Sequence, residues 1–408
     1  NLAGYPVNWI ITTQHNSIYP YIAAFFFMFG LNEAAIKLIL QIIPSILSVL
    51  LIYFICNEMY EDKRIGLIAS FLMVVLWEHL FDSTRFHIDV LGLFFGLLAI
   101  FIFWQGYENK KKIFGKIEPK WAIPLTVILV GLTYTIRRGY FLFGAFFLVY
   151  MILTKKFKSM FKDKYNWIGL GIVILLFLLA EKFIFISRIE GVAEAYYHPE
   201  YKINFLPLGI FPAYFSSNIG PSVLLYLYWI GFIILIFNIV LSFGYLKNLE
   251  KNKTRSDLFS IIVIMVTLAF FILVLRTPDG IGEARWYFPL VLGAFVCISK
   301  GSLILADYIK KYSKYASIGI IVLLIGFGGY YELNHADELI KNKIPSFEGI
   351  REASLFLKEV SNKDEVIISV AVPQVMYYAE RDVMQPDKVA GWKGAGEELP
   401  MDEFINKL

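Results

Sequence analysis

Ile88-Asp-Val-Leu-Gly-Leu-Phe-Phe-Gly-Leu-Leu-Ala-Ile-Phe-Ile-Phe-Trp-Gln105 is the run from which the fold class is read. Its one charge, Asp89, stands in the first turn, and every residue from Val90 to Trp104 is apolar, aromatic or glycine. About 20 such residues, wound as a helix, cross the hydrocarbon core of a bilayer. Arg85 precedes the run and Lys110-Lys-Lys112 follows it, so charge marks both ends. Working outward, comparable runs occupy 35–56, 65–81, 121–136, 139–154, 166–186, 222–243, 258–276, 286–304 and 316–331. The sequence therefore predicts an all-α polytopic membrane bundle of about ten spans. Composition agrees: 58% of the 408 residues are hydrophobic and 17% aromatic, while 18% are charged, against about a quarter in soluble domains. A net charge of +4, scattered along the chain, excludes a nucleic-acid partner. Cys56 and Cys297 both lie inside apolar runs, so no disulfide framework is indicated.

The loops alternate in charge. One set is rich in Lys and Arg, as in Lys110, Lys111, Lys112, Lys116 and Lys120 of the loop after the opening run. The facing set holds only Arg85, Arg137, Arg138, Arg188, Lys202 and Arg285. Cytoplasmic loops carry the excess of Lys and Arg, which places the second set outside. The alternation survives only if 121–136 and 139–154 are separate passages. The N-terminal residues and the tail beyond Tyr331 then lie outside too, giving a multi-pass plasma-membrane protein with an extracytoplasmic C-terminus. That tail is net acidic and alternates a helical pattern (Ile350, Ala353, Phe356, Leu357, Val360), a β run (Val366-Ile-Ile-Ser-Val370) and Pro373-Gln-Val-Met-Tyr-Tyr-Ala379. We divide the chain into a transmembrane domain over 1–332 and a small α/β domain over 333–408. Gln14–Gly30 is too short to span and is expected to lie in the interface. Phe205-Leu-Pro-Leu-Gly-Ile-Phe-Pro212 either rests on the membrane surface or packs on the other helices.

Charges at the outer helix ends carry the chemistry, because charge at membrane depth is costly and often functional. Arg85 and Asp89 stand four apart, the spacing of a helical salt bridge. Arg137-Arg138 is sharper: two adjacent guanidinium groups face outward in the tightest loop, and a shared anion would relieve their repulsion. Arginine offers the fork that phosphate oxygens take up; pairing with lipid headgroups or acidic loops is the plainer alternative. Arg285 repeats the theme, preceded by Glu283 and followed by Trp286-Tyr-Phe-Pro289. His15 and Tyr19 lie together in the outer N-terminal segment, and His15 offers a metal ligand or base, although a lone loop histidine is usually neither. No metal-ligand set is readable from spacing, and no nucleophile, P-loop or zinc motif occurs.

In this order the features resemble those of polyprenyl-phosphate-sugar-dependent glycosyltransferases of the GT-C fold, a group that includes protein O-mannosyltransferases and lipid A aminoarabinose transferases. His15-Asn-Ser-Ile-Tyr-Pro20 and Phe29-Gly-Leu-Asn-Glu-Ala-Ala-Ile-Lys37 resemble the family's His-Pro-Pro-Leu-Tyr, Phe-Gly and Ala-Ala-Arg, with Asn16-Ser17 for the prolines and Lys37 for the arginine. Tyr60-Glu-Asp-Lys-Arg-Ile-Gly-Leu-Ile-Ala69 is similar to its first inner loop, and Arg85-Phe-His-Ile-Asp89 to its Arg-x-x-x-Asp. Thr135-Ile-Arg-Arg-Gly139 stands where Thr-Lys-Gly is usual, and Glu283-Ala-Arg-Trp-Tyr-Phe-Pro289 resembles Glu-Arg-Tyr-x-x-Pro.

The resemblance implies an inverting hexosyl or pentosyl transfer from a polyprenyl or dolichyl phosphate sugar to a hydroxyl on protein, lipid or glycan at the outer face. Arg137, Arg138 and Arg285 would bind the donor phosphate, with His15, Tyr19, Arg85, Asp89 and Glu283 as further site candidates. Membrane lipids are the other partners. A divalent metal ion is left open as cofactor. The family's catalytic Asp lies in the loop after its first helix; no Asp precedes Asp62 here, so that residue is expected upstream of Asn1. An oligosaccharyltransferase would carry Trp-Trp-Asp-Tyr-Gly, which is absent. A transporter of anionic or lipid-linked substrates is the alternative, and it calls for mid-span charges and pseudo-repeats.

Overall fold

Long apolar helices satisfy every backbone hydrogen bond within themselves, which is what a hydrocarbon solvent demands. The computed structural model describes residues 17–154, 164–180, 205–215, 220–243, 252–273, 283–369 and 371–384, with the single positions 162, 182 and 218. Helix α1 is Tyr19–Met28, α2 Glu33–Tyr60, α3 Lys63–Val75, α4 Trp77–Ser83 and α5 Ile88–Glu108. Next come α6 Pro119–Ile136, α7 Arg138–Leu153 and α8 Lys164–Leu179. The short α9 (Ile210–Phe215) precedes α10 (Val223–Phe243), α11 (Asn252–Leu273), α12 (Ala284–Lys310) and α13 (Lys314–Val360). Among the described residues seven helices are long and apolar enough to span a membrane: α2, α5, α6, α10, α11, α12 and α13. The pair α3 and α4, bent by 57°, makes an eighth if counted as one span. The expected run at 139–154 appears as the shorter apolar helix α7, and the described part of 166–186 as the shorter α8, which is why the number among the described residues falls below ten. The chain is a multi-pass membrane protein.

Local chemistry sets the breaks. Asn32 caps α2 by accepting from the Ala35 amide, and Asp62 caps α3 by accepting from Arg64. Glu61, between α2 and α3, sits in the left-handed region at φ 54°, which ends the helix. Arg137 is extended (φ −147°, ψ 116°) and separates α6 from α7. Helix α2 contains a π-helical turn at Leu38–Ile42, and the end of α5 another at Phe103–Glu108. Buried aromatics fill the middle, with Phe103, Trp104, Phe147, Tyr150 and Phe259 in mutual ring contact. Close backbone approach draws α10 onto α12: a Cβ on Gly231 would stand 1.8 Å from the Cys297 carbonyl.

Of the two outer segments singled out above, α9 is packed, with Ile210, Phe211, Tyr214 and Phe215 all buried in the main core. Helix α1 lies against α2 through Tyr19, Ile36 and Leu40.

The chain divides into two units, one ending at Ala336 and the other beginning at Asp337. In the second, strands β1 (Val366–Ile368) and β2 (Asp382–Met384) pair in parallel, Val366 opposite Asp382, with α14 (Val372–Ala379) between them in sequence. This is the small α/β element that the alternating tail pattern predicts.

Candidate active site

Three helix ends converge on one carboxylate. Asp89, in the first turn of α5, is 1% exposed. Burying an ionised carboxylate is tolerable only if cations and donors surround it. Arg137, at the break between α6 and α7, forms an ion pair with Asp89 Oδ1. Arg285, in the first turn of α12, brings Nε to 3.6 Å from Asp89 Oδ2. Tyr140 donates its hydroxyl to Asp89 Oδ1 at 3.0 Å. Arg285 also pairs with Glu283, and the Arg137 guanidinium lies 5.8 Å over the Trp286 ring. Burial, with Arg285 adding repulsion, holds the Arg137 guanidinium below its ordinary value. An anion delivered between the two arginines would relieve both effects.

Beside this pair runs an acidic and imidazole wall. His87 Nδ1 lies 3.2 Å from Asp82 Oδ1 and 2.8 Å from Arg285 Nη1. One nitrogen cannot hold a proton toward Asp82 and accept one from Arg285 together. Asp82, 0% exposed, accepts no hydrogen bond at either oxygen. A fully buried carboxylate without a donor calls for a cation. Asp82, His87 and Asp89 each offer a ligand atom within 4.8 Å of the others, a set of oxygen and imidazole ligands suited to a divalent ion. Glu78, one turn before Asp82 on α4, is buried in the same electrostatic neighbourhood.

The surrounding elements hold this wall in place. Gln41, in the π-helical turn of α2, donates to the His87 carbonyl at 2.6 Å and to the Tyr19 hydroxyl at 2.5 Å. Such π-turns often sit at functional sites. Ser17 donates to the Ile136 carbonyl at 2.5 Å, and the Ile18 amide to Thr135 at 3.0 Å, tying the start of α1 to the end of α6.

The structure thus brings Arg137, Arg285, Asp89 and Glu283 together, with Tyr19 one residue removed through Gln41. Arg138 opens the turn Arg138–Phe141 and is half-buried. Arg85 does not pair with Asp89 in the i,i+4 manner; its guanidinium lies 4.6 Å from the centroid of the Phe81 ring. Asp89 is the first turn of a helix that begins only at Ile88, so Arg85 lies before the helix and the spacing rule does not apply. His15 falls outside the described residues. Glu78, Asp82 and His87 escaped the sequence reading. Their signal was present: Glu78 and Asp82 share a helical face, and Asp82-x-x-x-x-His87-x-Asp89 follows.

Residues 14–180 match the family model described as dolichyl-phosphate-mannose-protein mannosyltransferase. The oligosaccharyltransferase of Archaeoglobus fulgidus, solved as a complex with Zn and sulfate, superposes with a TM-score of 0.57 at 13% identity. That match covers 91% of this chain and 54% of the other. The chain has the GT-C fold. ArnT from Cupriavidus metallidurans, solved bound to undecaprenyl phosphate, superposes with a TM-score of 0.56 at 10% identity, covering 95% of this GT-C chain and 76% of its own. The A. fulgidus oligosaccharyltransferase AglB has also been solved with an inhibitory peptide and a dolichol-phosphate; it gives 0.57 at 13% identity over 90% of this chain and 56% of that one. The present chain thus spans about half the length of the archaeal enzyme. No curated protein sequence matches it.

Proposed function

We propose that this protein is a membrane glycosyltransferase that moves a sugar from a polyprenyl-phosphate donor to a hydroxyl acceptor, at the membrane face where Arg137 and Arg285 meet. The observation that carries this reading is the convergence of two arginines from distant helix ends on one buried acidic centre. The mannosyltransferase family match and the GT-C relatives solved with lipid phosphates support it.

The donor phosphate lies between Arg137 and Arg285, with Arg138 beside them, exchanging their contacts with Asp89 and Glu283 for its oxygens. Forked guanidinium groups hold it by charge-assisted hydrogen bonds and stabilise the charge that develops as the sugar leaves. The acceptor hydroxyl attacks the anomeric carbon from the opposite side, giving inversion, and loses its proton to a carboxylate. Asp82, His87 and Asp89 fit a divalent ion, which would supply further positive charge beside the leaving phosphate. An apolar groove of about 310 Å³, walled by Leu208, Phe211, Tyr228, Trp229, Leu268 and Ile272, suits the prenyl tail. Two of its walls, α9 and α11, pack on the turn carrying Arg285.

The test is binding of undecaprenyl phosphate, without sugar, to the reconstituted full-length protein. Each charge-assisted contact contributes roughly 1.5–3 kcal/mol, so Arg137→Ala and Arg285→Ala should each weaken binding by about tenfold or more. Arg285→Lys should recover only part of it, because lysine lacks the fork. Wild-type affinity in all the variants, at matched folded levels, would remove the phosphate clamp and with it the main local support for the enzyme reading.

A further inference from the structure

The break between α3 and α4 is a built feature. Helix α3 stops at Val75, Leu76 turns out at φ −57° and ψ 115°, and α4 restarts at Trp77 at 57° to its predecessor. No proline stands at the break, yet the backbone groups it frees must be satisfied in a nonpolar setting. Glu332 of α13 and His79 of α4 do this, while the Trp77 and His79 side chains also tie the bend to α9 and α2. Glu332 of α13 accepts the Trp77 amide at Oε2 (3.3 Å). The Trp77 indole donates to the Ala213 carbonyl of α9 at 3.2 Å. His79 of α4 places Nδ1 3.1 Å from the Met73 carbonyl and Nε2 3.0 Å from Ser45 Oγ of α2. Straightened into one helix, α3 and α4 would carry Glu78 and Asp82 away from His87 and Asp89.

Glu332 stands out among these groups. It is 1% exposed, more than 240 residues away in sequence, and its Oε1 has no partner. An ionisable side chain buried this deeply costs several kcal/mol to maintain, and a neutral residue could pack a helix there without that cost. Its one bond goes to the backbone amide at which the helix restarts. We propose that Glu332 is a positioning residue: by accepting the Trp77 amide it holds the α3–α4 bend and so aims Asp82 and Glu78 at the Arg137–Arg285 centre. The consequence for turnover rests on the transferase reading above; the consequence for the bend does not.

Spin labels at Lys63→Cys and Thr84→Cys, both exposed and bracketing the bend, read the geometry in the full chain by pulsed dipolar spectroscopy. The native Cys56 and Cys297 are buried. At 1.5 Å per residue the bent pair spans about 28 Å between these positions and a continuous helix about 32 Å. Glu332→Ala should lengthen the mean distance toward the larger value and broaden its distribution. Glu332→Gln, whose amide oxygen still accepts from Trp77, should keep the wild-type distance. If the alanine variant cannot be isolated, Glu332→Met fills the same volume without an acceptor and should behave as alanine does. In the transfer assay, Glu332→Ala should lower kcat at least tenfold with KM for the donor within about threefold, because the phosphate clamp is untouched. A wild-type distance in both Ala and Met variants overturns the inference, as does a Gln variant that lengthens as far as Ala. If the distances respond as expected while even wild type transfers no sugar, the bend assignment stands and the transferase reading falls.

Discussion

Asp89 shows what one buried carboxylate imposes on its surroundings. Arg137 and Tyr140 reach it from one turn of chain and Arg285 from another. Losing one member leaves the others desolvated and unmatched, which costs more than the lost bond itself. Asp82 is the complementary case, a buried carboxylate still lacking a donor. If a cation belongs there, Mn2+ should bind the purified protein with a distinct electron paramagnetic signal. Asp82→Asn should weaken that binding at least tenfold and leave the fold intact, since the amide keeps the volume and drops a buried charge. Equal Mn2+ binding by the variant would show that the trio is not the metal centre.

Between elements, two contacts carry sharp expectations. Gly231 and Gly301 let α10 and α12 touch backbone to backbone; a Cβ at Gly301 would stand 2.2 Å from the Leu227 carbonyl. Small residues of this kind let membrane helices approach closely. Gly231→Ala must push the helices apart and should cost about 2–4 kcal/mol, read as a lower Tm in detergent. Gly319→Ala, where a Cβ meets nothing within 4 Å, should be neutral or slightly stabilising through helix propensity. A Tm drop of the same size in both would mean that backbone approach is not what matters.

In the second unit, Arg381 donates to the carbonyls of Lys358, Ser361, Ala379 and Glu380 and to Ser361 Oγ, closing the C-termini of α13 and α14 at once. Arg381→Ala should cost about 3 kcal/mol, seen as faster hydrogen exchange at Val366–Ile368 and Asp382–Met384. Arg381→Lys should restore less than half, having no fork. Unchanged exchange in the alanine variant would deny the cap its role. Nearby, the Lys358 ammonium holds the exposed Glu380 carboxyl below its usual value. That contribution is present above the ordinary carboxylate pKa and is lost as pH falls through the lowered one.

For the molecule as a whole, the candidate site and the lysine-rich loops occupy opposite helix ends: Asp89 opens α5, and Lys110, Lys111 and Lys112 follow its close. The positive-inside rule predicts that the site faces outward. A membrane-impermeant maleimide applied to intact cells should label Thr84→Cys and leave Lys112→Cys unlabelled until the membrane is opened. Labelling of Lys112→Cys alone would invert the topology and put the proposed donor on the other leaflet.

The membrane class, the order of apolar helices, the separation of α6 from α7 at the arginine pair and the helix–strand–helix order of the tail were legible in the sequence, while the second strand, Asp382–Met384, was not. The legible features are local properties: hydropathy summed over about 20 residues, and periodicity over a few turns, need no knowledge of neighbours. The partners of the charges were not legible. Arg85, four residues from Asp89, turns to Phe81, while Arg137 and Arg285, nearly 50 and 200 residues away, meet that carboxylate. Helix contact alone sets that choice, because a buried charge pairs with whatever the neighbouring helix ends bring within reach. For the same reason only the tertiary structure reveals the bend at Leu76, its Glu332 cap, and Asp82 placed against His87.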